Sequence, residues 1–510
     1  MGFETKKEKL STQLMTKQAS EYNLETQLNL PDYCNDIKRI LKCNITPCIS
    51  NVSTGSGKIT VKGSVAIRVV YINEKDKADC CEANESFSHS FNADDAADNC
   101  VFGVIPSVNY INCRAVSQRR ITVNSNIAFN YSCYTQKSKD ILVDVNGETL
   151  QCKTSSVIAD NIICSARKIF EMSETVSLPQ EKSSIGKIMH VNCYAVIDSK
   201  KAVTGKLLIK GEMYCKMVYC TREGQIQSHN HTMPISQIID VAGLSEDCDV
   251  NVRLDVISCA VAVRSDSSAE NRLIEIAVKA AALVRGSKRQ NYIVTDECYC
   301  TDYDVKTEFE ANTFTRLVHS ADRQITVKKT LEMPSGVKGV LCAWPCENTC
   351  TIKGEASKAQ AAGNATIGIL YTDENDATDY CEKSVDYDFE EVLNEAYGNL
   401  TCGCDTVIRS VQCTAERKDS ISVTLEIGVK ADIYCNEEKR MLSGVEILKD
   451  SPKKVSDAAL IIYFADEAES IWDIAKKYNT TVDAIRQENE FEGEKTKAGT
   501  MLVIPCLSFK

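Results

Sequence analysis

The stretch Gly57–Ile72, GKITVKGSVAIRVVYI, decides how the chain is read, because it returns further along as Gly205–Cys220, GKLLIKGEMYCKMVYC. Leu-Pro precedes both copies: Pro31 to Gly63 and Pro179 to Gly211 each span 32 residues, and Gly63 to Tyr71 and Gly211 to Tyr219 each span 8. A third, looser copy begins AAGNATIGILYT at Ala361, with Gly363 again 8 residues before Tyr371 and 29 after Pro334. The period of about 150 residues is too long for a solenoid and is the size of a whole domain. Three copies of one domain are therefore expected. Within each copy, Ile59 and Val61 before the glycine and Val65, Ile67, Val69 and Tyr71 after it alternate at period two, the signature of strands in a hairpin.

Working outward, each hairpin is preceded by an alternating segment ending at a proline: YNLETQLNLP, TVSLP and TLEMP. Ile37, Ile40 and Leu41 have helical spacing for one or two turns. Each hairpin is followed by a polar segment (Asn73–Asn99, Thr221–Glu246, Thr372–Thr401) and a second pair of strands, whose first member carries a cysteine at the same place: Cys113, Cys259, Cys413. Segments between copies, such as ILVDVNGETLQCK with its Asn146-Gly147 turn, suggest further hairpins. The fold class expected is mainly β, three antiparallel β-rich domains over 21–168, 169–320 and 321–448, after a polar extension of residues 1–20 with some helical tendency.

The character changes after Ser451. A polar linker, 449–457, leads to a unit with helical periodicity over 458–506. In AESIWDIAKKYNTTVDAIRQENE, Ser470 with Asp473 and Thr480 with Asp483 are helix-start signals. Ile471, Ile474, Ala475 and Tyr478 form one apolar stripe, Val482 and Ile485 a second, and ALIIYF and TMLVIP flank the pair as strands. The result is a small β-α-α-β unit.

Composition narrows the function. The chain of 510 residues has a net charge of −12 with scattered lysines, which excludes the basic face of a nucleic-acid binder and gives no attraction to an anionic membrane surface. No apolar run follows the first charges and none approaches a membrane span, so a cytoplasmic location is expected. The 26 cysteines are about 5% of the chain, below a stapled secreted scaffold, and many lie in strand-like apolar runs. Free thiols rather than disulfides are expected. No C-x-x-C occurs and the close groups (Cys80-Cys81, Cys298 and Cys300, Cys342/Cys346/Cys350, Cys402 and Cys404) lack zinc-finger spacing, so neither a metal nor another cofactor is expected. Gly55-Ser56-Gly57-Lys58 lacks the further glycine and the Ser or Thr of a phosphate loop and reads as a hairpin turn. His229 and His231 fall in a polar stretch, SHNHT, read as a loop. No nucleophile, base or carboxylate pair stands out, and no catalytic residue is assigned.

The last unit resembles the LysM domain. The family pattern G-D-T-L-W-x-I-A-x-x-Y-x-T-T-V appears as Ala468-Glu469-Ser470-Ile471-Trp472-Asp473-Ile474-Ala475-Lys476-Lys477-Tyr478-Asn479-Thr480-Thr481-Val482, its helix-two asparagine as Asn489, and its closing G-x-x-L-x-I-P as Gly499–Pro505. The resemblance implies a groove for N-acetylglucosamine chains between the loops before helix one and before the last strand. Ala468 and Glu469 replace the family's glycine and aspartate in that groove. The residues implied for a partner or glycan are Ala468, Glu469, Ser470, Trp472, Asp473, Asn489 and Gly499. Tyr478 is read as core, and Trp472 as either partly buried or partner-facing.

The repeats resemble the SPOCS domain, through their Leu-Pro starts, the G-K hairpins Gly57–Gly63 and Gly205–Gly211, and the strands ending at Tyr71, Tyr219 and Tyr371. SPOCS copies in tandem before one LysM unit resemble the SipL-like coat morphogenetic proteins of clostridial spore formers. That resemblance implies a non-enzymatic scaffold at the forespore surface of the mother cell, binding a SpoIVA-like coat basement-layer ATPase through its LysM unit, together with other coat proteins. The alternative is a cell-wall protein that binds the N-acetylglucosamine chains of peptidoglycan.

Overall fold

The computed structural model describes residues 4–55, 57–93, 100–147, 149–265, 270–334, 336–454 and 458–506. The first unit comprises β1 (Glu4–Asn29), β2 (Ile37–Gly55), β3 (Lys58–Asn73), β4 (Ala78–Asn92), β5 (Val101–Ser117) and β6 (Arg120–Asn146). The second comprises β7 (Leu150–Ser177), β8 (Ile185–Val203), β9 (Lys206–Thr221), β10 (Ile226–Asp240), β11 (Asp249–Ser265) and β12 (Asn271–Cys300). The third comprises β13 (Tyr303–Glu332), β14 (Val337–Asp373), β15 (Thr378–Tyr397), β16 (Leu400–Arg417) and β17 (Ser420–Pro452). Each of the first two folds into a pair of three-stranded antiparallel sheets, β2-β3-β4 on β1-β6-β5, then β8-β9-β10 on β11-β12-β7. In the third, β13-β17-β16 faces β14-β15. There β14 bends at Ala356 (φ +51°), and Thr349 Oγ1 donating to the Asn364 carbonyl (3.5 Å) and Thr351 Oγ1 to that of Ala362 (3.4 Å) bring its two halves side by side. Three mainly antiparallel β units are thus present.

The repeat is visible in the irregularities of pairing as well as in the strands. Bulges in β2 between Ile37 and Arg39, Ile40 and Lys42, and Ile49 and Asn51 recur in β8 between Ile185 and Lys187, Ile188 and His190, and Ile197 and Ser199. The last of these sits opposite the motif glycine, Ile49 facing Gly63 and Ile197 facing Gly211. A Cβ on Gly63 would collide with the Cys48 carbonyl oxygen, and one on Gly211 with that of Val196. The invariant spacing of these glycines therefore marks a backbone pinched by a bulge. At the other end of the hairpin Gly57 and Gly205 sit at φ +72° and +74°, as the turn reading of this stretch requires; Ser56 lies outside the described residues.

Several expectations need correction. Residues 4–20 are not an extension but the first half of β1, paired with β6 without a break to Asn29 apart from one bulge. The expected boundaries at 168/169 and 320/321 fall inside β7 and β13. Each unit starts with a strand far longer than its apolar alternation announces, because only the half before the proline (Pro31, Pro179, Pro334) faces its own unit's core. Ile37, Ile40 and Leu41 lie in β2, and the polar segments after each hairpin form β4, β10 and β15, including His229 and His231. One solvated face makes such strands polar enough to read as loops. The chain reverses at Asn146-Gly147, with Leu150 N–H donating to the Gly147 carbonyl (3.1 Å), but β6 pairs with β1 and β5 while β7 joins β12, so no hairpin forms there. The linker is shorter than expected, since β17 runs to Pro452; residues 455–457 lie outside the described residues.

The distal halves of these long strands are arms that pack on one another. Leu10, Ile141 and Val143 of the first unit, Val157, Ala159, Tyr292 and Val294 of the second and Phe314 and Met441 of the third share one buried cluster. The hairpins meet in a second shared core, where Val70, Val218 and Leu370, each seven residues after its motif glycine, surround Trp344. These two joint cores hold the three units as one body, and both are built from apolar area removed from water.

Candidate functional site

The terminal unit consists of β18 (Leu460–Phe464), α1 (Ile471–Lys477), α2 (Val482–Asn489) and β19 (Met501–Pro505). β18 and β19 pair antiparallel, and the helices cover one face of this ribbon with Ile471, Ile474, Ala475 and Ile485 against Leu502 and Ile504. Ser470 caps α1, as its position predicts, but its side chain makes no capping bond. The cap of α2 is Thr481 rather than Thr480: its hydroxyl accepts from Ala484 N–H (3.0 Å), while Thr480 is fully buried. Tyr478 packs edge-on against Tyr463 at 5.5 Å, half-buried beside the core as expected.

Ala468 adopts φ +57°, the left-handed backbone for which glycine is suited, so the loop holds this conformation at the cost of strain. Glu469 does not face outward as a free acid. Its carboxylate accepts from the Tyr463 hydroxyl (2.9 and 2.8 Å) and from Asp466 N–H (3.2 Å), and so ties the loop to β18. The two loops that would wall a sugar groove are laced together: Ala468 N–H donates to the Thr496 carbonyl (3.0 Å), Thr496 N–H to that of Glu469 (2.9 Å), and Ile471 N–H to that of Glu494 (3.0 Å). Those main-chain groups are spent within the unit. Asn489 is a brace, donating to the Ile485 and Val503 carbonyls (2.8 and 2.6 Å) and accepting from Val503 N–H (2.6 Å). Gly499, at φ +77°, turns the chain into β19. Asp473 is exposed in the first turn of α1.

Trp472 faces neither solvent nor a groove. Its indole Nε1–H donates to Glu297 Oε2 (2.8 Å) at the tip of β12, and its ring meets Tyr299 edge-on at 4.9 Å. Lys476 pairs with the same carboxylate, and the Tyr299 hydroxyl donates to the Thr480 carbonyl (2.7 Å). Tyr299 is 3% exposed and belongs to the core of the terminal unit although it comes from the second repeat. Burial opposes ionisation of Glu297, but the Lys476 ammonium and the indole N–H outweigh it and hold the carboxyl below its usual range. Lys453 adds a bond from Nζ to the Cys300 carbonyl (2.8 Å). Of the seven residues implied by resemblance, Trp472 and Asn489 are thus committed inside the molecule, and Ala468, Glu469 and Ser470 stand together on one loop.

The surface that sequence reasoning missed is the other face of the ribbon. Leu460, Ile462 and Phe464 of β18 are 51, 64 and 64% exposed, and Met501 opposite Phe464 is 56% exposed. Val503 opposite Ile462 and Pro505 opposite Leu460 complete an apolar face away from the helices. A half-buried strand alternates apolar and polar residues; LIIYF and MLVIP do not, and that continuous apolarity was the available signal.

No helix among the described residues is long and apolar enough to cross a membrane. The chain matches the family model "SipL, SPOCS domain" over residues 36–116 and 184–264, and the LysM domain model over 467–505. The SPOCS matches start just before β2 and β8 and end in β5 and β11, so they cover the hairpin sheet and the first strand of the second sheet in both units. No curated protein and no solved structure matches the chain. With two SPOCS domains recognised, a third unit built on the same strands, and a LysM domain at the end, the chain has a SipL-like architecture.

Proposed function

We propose that this chain is a non-enzymatic assembly scaffold of the spore coat, which binds a SpoIVA-like basement-layer ATPase through its LysM domain at the forespore surface. SPOCS and LysM domains are binding domains, and this combination fits a coat-associated or a peptidoglycan-binding protein. The observation that favours a protein partner is the exposed apolar ribbon face of Leu460, Ile462, Phe464 and Met501. A glycan offers hydroxyls and amides to such a surface, whereas a protein offers an apolar counterpart and removes it from water. The lacing of Ala468, Glu469 and Ile471 to Glu494 and Thr496 pairs main-chain groups of both loops with one another and so leaves them unavailable to a sugar.

The test is retention of the full-length chain on immobilised purified basement-layer ATPase and on insoluble peptidoglycan, for the wild type and for Ile462→Asp with Phe464→Asp. Both positions are exposed, so the folded state is expected to survive, as checked by an unchanged melting profile. Retention by the ATPase that falls at least tenfold in the double variant supports the reading. Retention by the ATPase unaffected by the variant removes the ribbon face from it, and retention by peptidoglycan alone overturns it.

A further inference from the structure

Three thiols from separate strands of the second unit converge. Cys193 of β8 and Cys215 of β9 are register partners, so their side chains leave the same face of one sheet, and Cys259 of β11 meets them from the facing sheet. Cys193 Sγ lies 2.9 Å from Cys215 Sγ and 2.7 Å from Cys259 Sγ, and all three sulfurs lie within 4.8 Å of one another. We propose that Cys193, Cys215 and Cys259 form a three-thiolate site for a thiophilic divalent ion of the zinc class, clamping the two sheets of this unit together.

The chemistry follows from the count. A disulfide joins two sulfurs and leaves the third without a partner, whereas Cys193 stands between both of its neighbours. Zinc takes thiolates at about 2.3 Å in a tetrahedron, which spreads the sulfurs to about 3.8 Å, a small outward rotation from where they stand. Each ligand gives up its proton as the ion binds. Copies one and three mark the contrast. At the places of Cys193 and Cys215 the first unit has the register pair Ile45 and Ile67, and the third has Ile367 four residues after its motif glycine. Those copies fill the position with hydrocarbon, and their close cysteines come in pairs, Cys43 with Cys113 and Cys350 with Cys404. The triad is the one group of three among the described residues. Cys193 borders a cavity of about 590 Å³ that is also lined by Asp255 of the second unit and Asp322 and Arg409 of the third, the side from which an ion would approach. His231, register partner of Cys215 on β10, is next in the row and bonds Glu174 through Nε2 (3.0 Å), the carboxylate-held form in which histidine commonly serves a metal. Local spacing rules cannot find this site, since its members are 22 and 44 residues apart and are brought together only by sheet pairing and packing.

The experiment uses the full-length chain, reduced, stripped with chelator and reloaded with Zn²⁺ or Co²⁺, beside a variant with Cys193→Ile and Cys215→Ile, which copies the first unit and is expected to fold. Metal retained after gel filtration is expected to fall by one ion per chain in the variant. The thiolate-to-cobalt absorption is expected to fall with it, and Zn²⁺ is expected to raise the melting temperature of the wild type alone. A Cys350→Ser control leaves all three readings unchanged. Equal metal retention and equal cobalt absorption in wild type and variant overturn the proposal. So does an intact mass short of two hydrogens with Cys193 joined to Cys215 or Cys259 in protein isolated under non-reducing conditions, and so does a metal-dependent stabilisation shared by both chains. A variant that fails to fold is replaced by Cys259→Ala, which must lose the same ion.

Discussion

Glu297→Ala is expected to release the LysM domain from the body of the molecule without unfolding either. The residue belongs to β12, outside the LysM core, and its carboxylate is the acceptor for Trp472 Nε1–H at 2.8 Å and the partner of Lys476. A hydrogen bond to a charged group contributes about 1.5–3 kcal/mol. The Lys476 pair, with side chains 46 and 31% exposed, adds little beyond that after solvent screening. A loss of about 2 kcal/mol lowers the ratio of docked to undocked molecules about 30-fold. Glu297→Gln keeps a neutral acceptor and should cost about 1 kcal/mol, about fivefold. The assay is tryptic cleavage after Lys453 or Lys454. The backbone there is tied down by Lys453 N–H donating to the Asp302 carbonyl (2.8 Å) and by its ammonium bond to Cys300, so cleavage is expected to report the population of the open state. Rates should rise in the order wild type, Gln, Ala. Equal rates for all three, with Trp472→Ala raising the rate, would refute the assignment of the docking energy to this carboxylate and shift it to the Tyr299 contact.

The same carboxylate gives docking a pH dependence. Its folded value is depressed, so its contribution is present above the ordinary glutamate value of about 4.3 and is lost as pH falls through the lower folded one; undocking, read as access of a fluorescence quencher to Trp472, should grow on acidification in that window for the wild type and not for Glu297→Ala. Ala468→Gly should relieve the left-handed strain at φ +57° and stabilise the LysM domain by about 1 kcal/mol, read as slower hydrogen exchange of its helices; a loss of protection would contradict the strain. Gly211→Ala, which drives a Cβ into the Val196 carbonyl, should cost roughly 3 kcal/mol in denaturant unfolding. Gly205→Ala, in open space at φ +74°, should cost only about 1 kcal/mol, and equal losses at the two sites would show that the bulge is not what fixes the glycine.

Periodicity carries short-range information, and that part of the protein was legible. The 32- and 8-residue spacings located the hairpins, the alternation named them as strands, and the turn glycines and the two-helix LysM order followed from local backbone chemistry. The expectations that failed share a cause. β4, β10 and β15 have a polar solvent face and read as loops, and residues 4–20 show no apolar alternation because that arm of β1 is buried by other units at few positions, Leu10 among them. A strand's partner is not written in the strand.

The site divides in the same way. Sequence alone placed Ala468, Glu469 and Ser470 on one loop and Trp472 on helix one, since those neighbours are consecutive in the chain. Only the tertiary structure decided what Trp472 meets, because Glu297 and Tyr299 lie 175 and 173 residues away and their side chains are brought to it by the arm of β12. It also decided that Asn489 is a brace, that the ribbon's second apolar face is uncovered, and that three of twenty-six cysteines meet across two sheets. Local propensity acts over a few residues, whereas contact across sheets is settled by which apolar faces the folded chain can bury together.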